Sequence, residues 1–398
     1  NLLLTDNDGG ASETVTLVAN NLQVDGDLTI SNLTGLDPSG LDIIVGGGQA
    51  GAQAAASARQ NEYQGRITLI GAEAHLPYQR PPLSKAFLAG AIERDRLPLK
   101  PEQFYATREI DLCLNTRVEA FDARARRATL GSGETLDYSH LLLATGSAPR
   151  RLEVPGAGLP GIHYLRSIDD VESIRSGFEP GKRLLIVGAG YIGLEVAAVA
   201  TQAGLLVTVV EAAPDALTRS VCREVAGFYT DYHRRAGVSF RFNSRLTAFV
   251  GDRGVRGAKI DNDETLEADI VIIAIGIVPR IGLAEAAGLE IDNGIAVDAS
   301  TRTSAPAVFA AGDCTSHPHP WVGRRIRLES VQNAIEQGKV AALNICGQEA
   351  VFDAVPWFWS DQYDLKLQIA GLSSGFDETV TRGNADDGSF SVYYLKAG

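Results

Sequence analysis

From Leu41 onward, short apolar runs alternate with glycine turns and helical stretches. The run LDIIV (41–45) has the character of a parallel strand buried on both faces. GGGQAGAQAAASARQ (46–60) then turns through Gly46, Gly48 and Gly51 into an alanine-rich helix, and GRITLIGAE (65–73) returns as a second strand. The series recurs as RLLIV (183–187), GAGYIGLEVAAVATQAG (188–204) and LLVTVVE (205–211). Each series is a βαβ unit, and such units build doubly wound parallel sheets. Three more apolar strands end in small-residue turns: HLLLATGSAPR (140–150), DIVIIAIGIVPR (269–280) and AVFAAGDC (307–314). The first two repeat one event, a buried strand, a turn and Pro-Arg. This predicts two nucleotide domains with the second inserted in the first, over 41–150 plus 281–350 and over 151–280. Residues 351–398, with PWFWSD and the alternating run SFSVYYL, read as a third, β-rich unit.

The first 40 residues differ from the rest. They are acidic, rich in Asn, Asp, Gly and Thr, and alternate in TVTLVANNLQVDGDLTI. A β-hairpin turning at Asp25-Gly26 is expected there, as an appendage that adds no chemistry. The chain holds no methionine, which suggests processing or fusion.

At 398 residues, two or three domains are expected. The apolar fraction of 45% with 21% charged residues is that of a globular protein, and the net charge of −13 argues against general nucleic-acid binding. The longest apolar run, 270–278, is half of what a membrane span needs. No secretory signal opens the chain, so a cytoplasmic protein is expected. Cys113, Cys222, Cys314 and Cys346 are scattered without a C-x-x-C pair. They suit a reducing compartment and read as small buried apolar residues. The six histidines lack metal-ligand spacing, no metal is expected, and His317 and His319 of HPHP read as solvated loop residues.

The glycine turns carry the chemistry. The first glycine permits the tight turn, the second lets a pyrophosphate approach the backbone, and the third lets helix and strand pack closely. The helix start then offers N–H groups and a positive dipole end to phosphate. Glu211 closes LLVTVVE at roughly the 20-residue spacing of a carboxylate that binds a ribose 2′-hydroxyl. The nearest counterpart in the first unit, Glu73, lies beyond its strand, and fits either that role or a solvated loop acid. Asp313 of AAGDC fits either a contact to a flavin's ribityl chain or a helix N-cap. Two dinucleotides in one chain suggest a relay between a diffusible hydride donor and a bound flavin.

The motifs GGGQAG, HLPYQRPPLSK, LLLATGSAPR, GAGYIGLEVAA, AIGIVPR, FAAGDC, RLESVQNAIEQ and PWFWSDQ occur in the order seen in FAD-dependent ferredoxin reductases. Over 41–398 the chain resembles those that serve cytochrome P450 and Rieske oxygenase systems. The resemblance implies an α/β fold with two Rossmann-like domains of the glutathione-reductase type and a C-terminal α+β interface domain, which the chain is expected to leave incomplete. It implies that FAD is held by Gly46, Gly48, Gly51, Arg80, Lys85, Thr145, Gly146 and Asp313, with Val331, Gln332 and Trp359 against its ring. It assigns NADH to Gly188, Gly190, Tyr191, Ile192, Gly193, Glu211 and Gly276, with Arg219 serving phosphate or ribose. Lys85 and Glu195 are expected as an ion pair where flavin and nicotinamide meet, in the catalytic position. Disulfide reductases are disfavoured, because HLPYQRPPLSK stands where they carry a redox cysteine.

The expected activity is NADH:ferredoxin oxidoreduction with a small [2Fe–2S] protein as acceptor. The exposed face expected for Arg324, Arg325 and Arg327 would dock that carrier by charge, since a net acidic chain needs a local basic patch. The rivals are a rubredoxin reductase, an NADH oxidase, and a flavoprotein with redox-dependent partner binding of the apoptosis-inducing-factor kind.

Overall fold

The computed structural model describes residues 2–4, 13–15, 40–261, 263–385 and 388–396. Leu2–Leu4 pairs antiparallel with Glu13–Val15. The turn expected at Asp25-Gly26 lies outside the described residues.

β1 (Leu41–Val45) leads into α1 (Gln49–Gln60), followed by β2 (Arg66–Ile70), β3 (Ile110–Cys113) and β4 (His140–Leu143). The plan then repeats with β5 (Ile162–Tyr164), β6 (Arg183–Val187), α2 (Tyr191–Gln202), β7 (Leu206–Val210), β8 (Ser239–Arg241) and β9 (Ile270–Ile273). β10 (Val308–Ala310) and α3 (Val331–Ile345) come last. The strand orders are β10-β4-β1-β2-β3 and β5-β9-β6-β7-β8, with every pairing parallel. β10 joins the first sheet only after the second has been completed, so the second unit is inserted in the first. In each unit a three-stranded antiparallel sheet (118–137 and 246–267) precedes the strand that returns to the centre.

The apolar runs are explained by two-sided burial. Ile44 and Leu142 face the alanines of α1 and α3, whereas Ile43, Val45, Leu141 and Leu143 face the antiparallel layer. In the second sheet Leu184 and Ile186 face one core, and Leu185 and Val187 the other. Period-2 side chains with both faces covered leave few polar positions, and Asp42 and Thr68 are buried exceptions. α3 crosses α1 closely, and a Cβ on Gly338 would lie 2.7 Å from the Ala50 carbonyl oxygen. Two antiparallel hairpins end the chain: β11 (Trp357–Gln362) with β12 (Leu365–Ala370), and β13 (Glu378–Asn384) with β14 (Ser389–Leu395). Leu365, Leu367, Phe390, Val392 and Tyr394 pack against the core of the second unit.

The solvated loop expected for His317 and His319 is corrected. Both belong to the strand Thr315–His319, and they are 1% and 2% exposed. The alternation of His with Pro is itself a period-2 pattern. It sends both rings inward, His317 meeting Phe352 edge-on at 4.8 Å and hydrogen-bonding Gln337 at 2.9 Å.

Burial, and after it the neighbouring His319 and Arg325, pushes the pKa of His317 down to about 4. The unfolded chain therefore takes up this proton before the folded one does. Stability conferred by neutral His317 is present above pH ~6.5 and drains away as pH falls towards about 4, by at most about 3 kcal/mol. Denaturant unfolding across that window is expected to show the decline, and His317→Asn is expected to flatten its slope.

Candidate functional site

The backbone imposes two glycines in each turn. Gly46 (φ 128°) and Gly188 (φ 106°) lie in the positive-φ region, and Cβ atoms on them would stand 2.1 and 2.5 Å from the carbonyl oxygens of Ala144 and Ala274. A Cβ on Gly51 or Gly193 would lie 2.1 Å from the carbonyl oxygen of Gly46 or Gly188. The middle glycines differ. Gly48 and Gly190 have extended backbones open to any residue, and a Cβ there would meet nothing within 4 Å. What keeps that space clear is not the protein itself.

α1 and α2 also start without a side-chain cap and without an acidic residue in their first turns. The helix Ile168–Arg175, by contrast, has a full capping box of Ser167 and Asp170, and α3 is capped by Ser330. The two uncapped starts leave backbone N–H groups for an anion.

Both turns open into one cavity of about 1620 Å³, larger than the ~300–1,000 Å³ of a pocket for one small ligand. Of the residues predicted for the two dinucleotides, all but Gly51, Gly193 and Gln332 line it. Gly51 and Gly193 act in packing. Gln332 follows the lining residue Val331 on α3, and the turn of the helix carries its side chain inward, where Oε1 is buried. Cations outnumber carboxylates around the cavity although the chain is net acidic. Arg166 and Arg280, which sequence reasoning missed, stand among them. Burial and then the repulsion of Arg80 push the Arg166 pKa down, against the pull of Asp313 at 3.5 Å. Bound phosphates would relieve this crowding.

At the centre, Glu195 lies one turn into α2 and is 3% exposed. Its Oε1 is 2.9 Å from Lys85 Nζ, and Ser360 Oγ donates to the same oxygen at 2.7 Å. Ser84 donates to Oε2. Lys85 and Ser84 come from the first unit, Glu195 from the second and Ser360 from β11. Neither serine was anticipated, although both sit inside the quoted motifs PPLSK and PWFWSDQ.

The remaining acids are also held. Glu211 accepts from the backbone N–H groups of Ala189 and Ala213 at 2.7 and 2.8 Å, directly beside the second turn. Glu73 is not a solvated loop acid. It pairs with Arg80 at 2.5 Å and accepts from Tyr78, and although burial works to raise its pKa, Arg80 and Tyr78 hold it below the usual carboxylate range. Asp313 caps no helix, and its carboxylate accepts from Ser147 Oγ at 2.9 Å. Arg219 lines the cavity as expected, and Arg245 joins it there.

The exposed basic face expected around Arg324 is corrected. Arg327 lines the cavity and pairs with Glu329, its side chain 15% exposed. Arg325 folds back onto the Val297 and Ser316 carbonyls and pairs with Asp292 at 3.5 Å. The strand Arg324–Ile326 ends before Arg327, and Arg324 alone of the three arginines is exposed. None of the four cysteines lines the cavity, and all are unpaired. Cys222 and Cys314 are buried, whereas Cys113 and Cys346 are half-buried, short of the full burial expected. Among the described residues no helix is long and apolar enough to cross a membrane.

Nested dinucleotide units sharing one cationic cavity define an oxidoreductase that uses FAD and NAD(H). The chain belongs to the pyridine nucleotide-disulphide oxidoreductase family, which it matches over residues 42–338, with a reductase C-terminal match over 357–398. It is 43% identical over 352 residues to rhodocoxin reductase of Rhodococcus erythropolis, covering 88% of this chain and 82% of that one. It is 41% identical over 359 residues to a ferredoxin–NAD(P)+ reductase of Sphingomonas sp., covering 89% and 87%. Its fold matches the crystal structure of a covalent putidaredoxin reductase–putidaredoxin complex with TM-score 0.88 and 39% identity, covering 90% of this chain and 87% of that chain.

The glycine geometry separates folding from binding. Gly190→Ala and Gly48→Ala are expected to leave the melting temperature within about 2 °C of the parent FAD-free protein, while weakening NADH and FAD binding respectively by about tenfold or more. Gly193→Ala is expected to unfold several degrees earlier. Thermal melts with nucleotide titrations check both.

Proposed function

We propose that this chain is an NADH:ferredoxin oxidoreductase serving an oxygenase system. The observation that carries the reading is the single cavity in which the two glycine turns meet across the buried Lys85–Glu195 pair. Held by the first glycine turn and its arginines, FAD would supply the conversion of two-electron transfer from NADH into one-electron transfer to a [2Fe–2S] protein. The relatives named for rhodocoxin and ferredoxin support that acceptor. Residues 41–150 with 281–350 form the FAD domain, 151–280 the NAD domain and 351–398 the interface domain in this reading. The four unpaired thiols support a cytoplasmic site.

The residues have separable tasks. Gly46, Gly48 and α1 receive one diphosphate, and Gly188, Gly190 and α2 the other. Arg80, Arg166 and Arg280 neutralise phosphate charge on the flavin side. Tyr191 tilts against Phe358 of β11 at 4.5 Å, and both line the shared cavity. Lys85, held by Glu195, keeps a positive charge at the junction without disorder, because Glu195 is itself fixed by two serine hydroxyls. Trp359 lines the cavity and stacks on Trp357 at 5.1 Å, which is 38% exposed, so the electron acceptor approaches along that edge. Glu211 meets the adenosine ribose of NADH.

Stopped-flow reduction by NADH, followed by mixing with candidate ferredoxins, tests the activity as a whole. Rapid flavin reduction with ferredoxin-dependent cytochrome c reduction is expected, and reduction that no ferredoxin or rubredoxin can discharge would refute it. Glu195→Ala is expected to slow NADH-driven reduction at least tenfold while FAD content stays unchanged, because Lys85 loses its partner.

A 2′-phosphate beside Glu211 would face like charge at about 4 Å, a repulsion of roughly 4 kcal/mol at an effective dielectric near 20. Screening leaves about 2–3 kcal/mol, or roughly 30–150-fold in favour of NADH. Glu211→Ala is expected to narrow that preference, and Ala212→Arg to move it towards NADPH. Equal kcat/KM for both coenzymes in the parent protein would show that Glu211 does not face the ribose.

A further inference from the structure

The donors that fix Glu195 continue beyond Ser360. Gln362 lies two residues further along β11, on the same face, and its Nε2 donates to Ser360 Oγ at 3.1 Å. Its Oε1 lies 2.9 Å from Nε2 of His233, on the helix Arg223–Arg235. Nδ1 of His233 is 3.2 Å from the hydroxyl of Tyr363. Ser360, Gln362 and His233 are 0%, 1% and 0% exposed, so these bonds are shielded from competition with water.

The chain of donors has one direction. Ser360 donates its one hydrogen to Glu195, so its oxygen accepts from Nε2 of Gln362. The Gln362 oxygen is thereby turned to His233, whose Nε2 carries the hydrogen, and Nδ1 accepts from Tyr363. Reversing the amide of Gln362 would set its oxygen against Ser360 Oγ, whose hydrogen is already committed to Glu195. Burial favours the same neutral ring, pushing the His233 pKa below its ordinary value.

The turn of this hairpin is built to hold that contact. Tyr363 has φ 56°, a left-handed region that a non-glycine residue rarely adopts. Glycine would relieve the strain but would remove the ring that packs on His233 at 4.9 Å and on Tyr232 at 5.3 Å. The next residue, Asp364, accepts from Tyr232 at 2.5 Å. Adjacent residues of one helix thus clasp adjacent residues of one turn, and β11 runs from that clasp to the cavity, where it delivers Phe358 and Trp359, with Ser360 buried behind them on Glu195.

We propose that His233 is a positioning residue for Glu195, acting through Gln362 and Ser360 to aim the carboxylate at Lys85 and to fix β11 against the cavity. The inference rests on the reading that Lys85 and Glu195 stand where the two nucleotides meet. His233 touches no nucleotide itself. The histidine supplies, at a fixed place, the N–H that the Gln362 oxygen accepts, and so anchors the far end of the chain of bonds that reaches Glu195.

The test uses the FAD-loaded full chain and four variants: His233→Phe, His233→Gln, Ser360→Ala and the double variant His233→Phe/Ser360→Ala. Three quantities are measured: the NADH reduction rate, NAD+ affinity by equilibrium titration, and tryptophan fluorescence of the FAD-free proteins. His233→Phe keeps the ring volume but removes the donor, and is expected to slow reduction about 5–10-fold with FAD content retained. It is also expected to shift the fluorescence of Trp357 and Trp359. His233→Gln retains an N–H donor and is expected to recover to within about threefold of the parent. The double variant is expected to be no slower than Ser360→Ala alone, since both changes interrupt one path. Additive losses, or failure of His233→Gln to recover, would reduce His233 to a packing residue and overturn the proposal while leaving the Glu195 reading intact. If Glu195→Ala reduced at the parent rate, the proposal and the reading beneath it would fall together.

Discussion

A carboxylate buried to 3% exposure can stay in the interior only if its charge is answered there. Glu195 is answered by Lys85 and by two hydroxyls, and these donors come from two parts of the chain outside its own unit. The first unit, the second unit and the last hairpins must therefore all be in place before this charge is satisfied. A buried ion pair adds little net stability over a well-packed apolar alternative, but breaking one by removing a single partner is expensive. That asymmetry makes Glu195 a poor glue and a strict gauge of assembly. The geometry it enforces is the one in which two nucleotide-binding turns, each complete within its own unit, open on a common space.

The electrostatics of that space follow from where the acids are spent. The chain is net acidic, yet Glu73, Glu211 and Asp313 are each held by arginine, backbone N–H or serine. With the carboxylates engaged and the starts of α1 and α2 uncapped, the cavity is left positive. Field lines from a low-dielectric cleft are focused rather than dispersed, so anionic dinucleotides are drawn in despite the charge of the whole.

Much of this was legible in the chain itself, for identifiable reasons. Both sheets appear as apolar runs because Ile43 and Ile44, or Leu184 and Leu185, face covered cores on opposite sides. The glycine turns appear because Gly46 and Gly188 could carry no side chain at all. What escaped were residues whose meaning depends on long-range neighbours. Ser84 and Ser360 are ordinary polar residues until the fold brings both to Glu195. Arg327 resembles its neighbours in GRRIR, yet it follows the end of that strand and lines the cavity. His317 and His319 looked solvated because prolines beside them suggested a loop, and no local rule indicates that Phe352 will cover them. Arg166 and Arg280 lie in connecting segments where composition carries no signal of burial.

The repeated Pro-Arg event noted in the two units also proves to be a joint. Ser147–Pro149 pairs antiparallel with Ile277–Pro279, and the pairing is closed at both ends by backbone bonds, Arg150 N–H to the Gly276 carbonyl and Arg280 N–H to the Gly146 carbonyl, each 2.9 Å. The chain thus leaves and re-enters the second unit along two adjacent, mutually bonded threads. Sliding one unit past the other along those threads would break the whole ladder at once, and pivoting about it would draw Lys85 and Ser84 away from Glu195. The two units are thus pinned at two separate places, one resisting slip and the other resisting rotation.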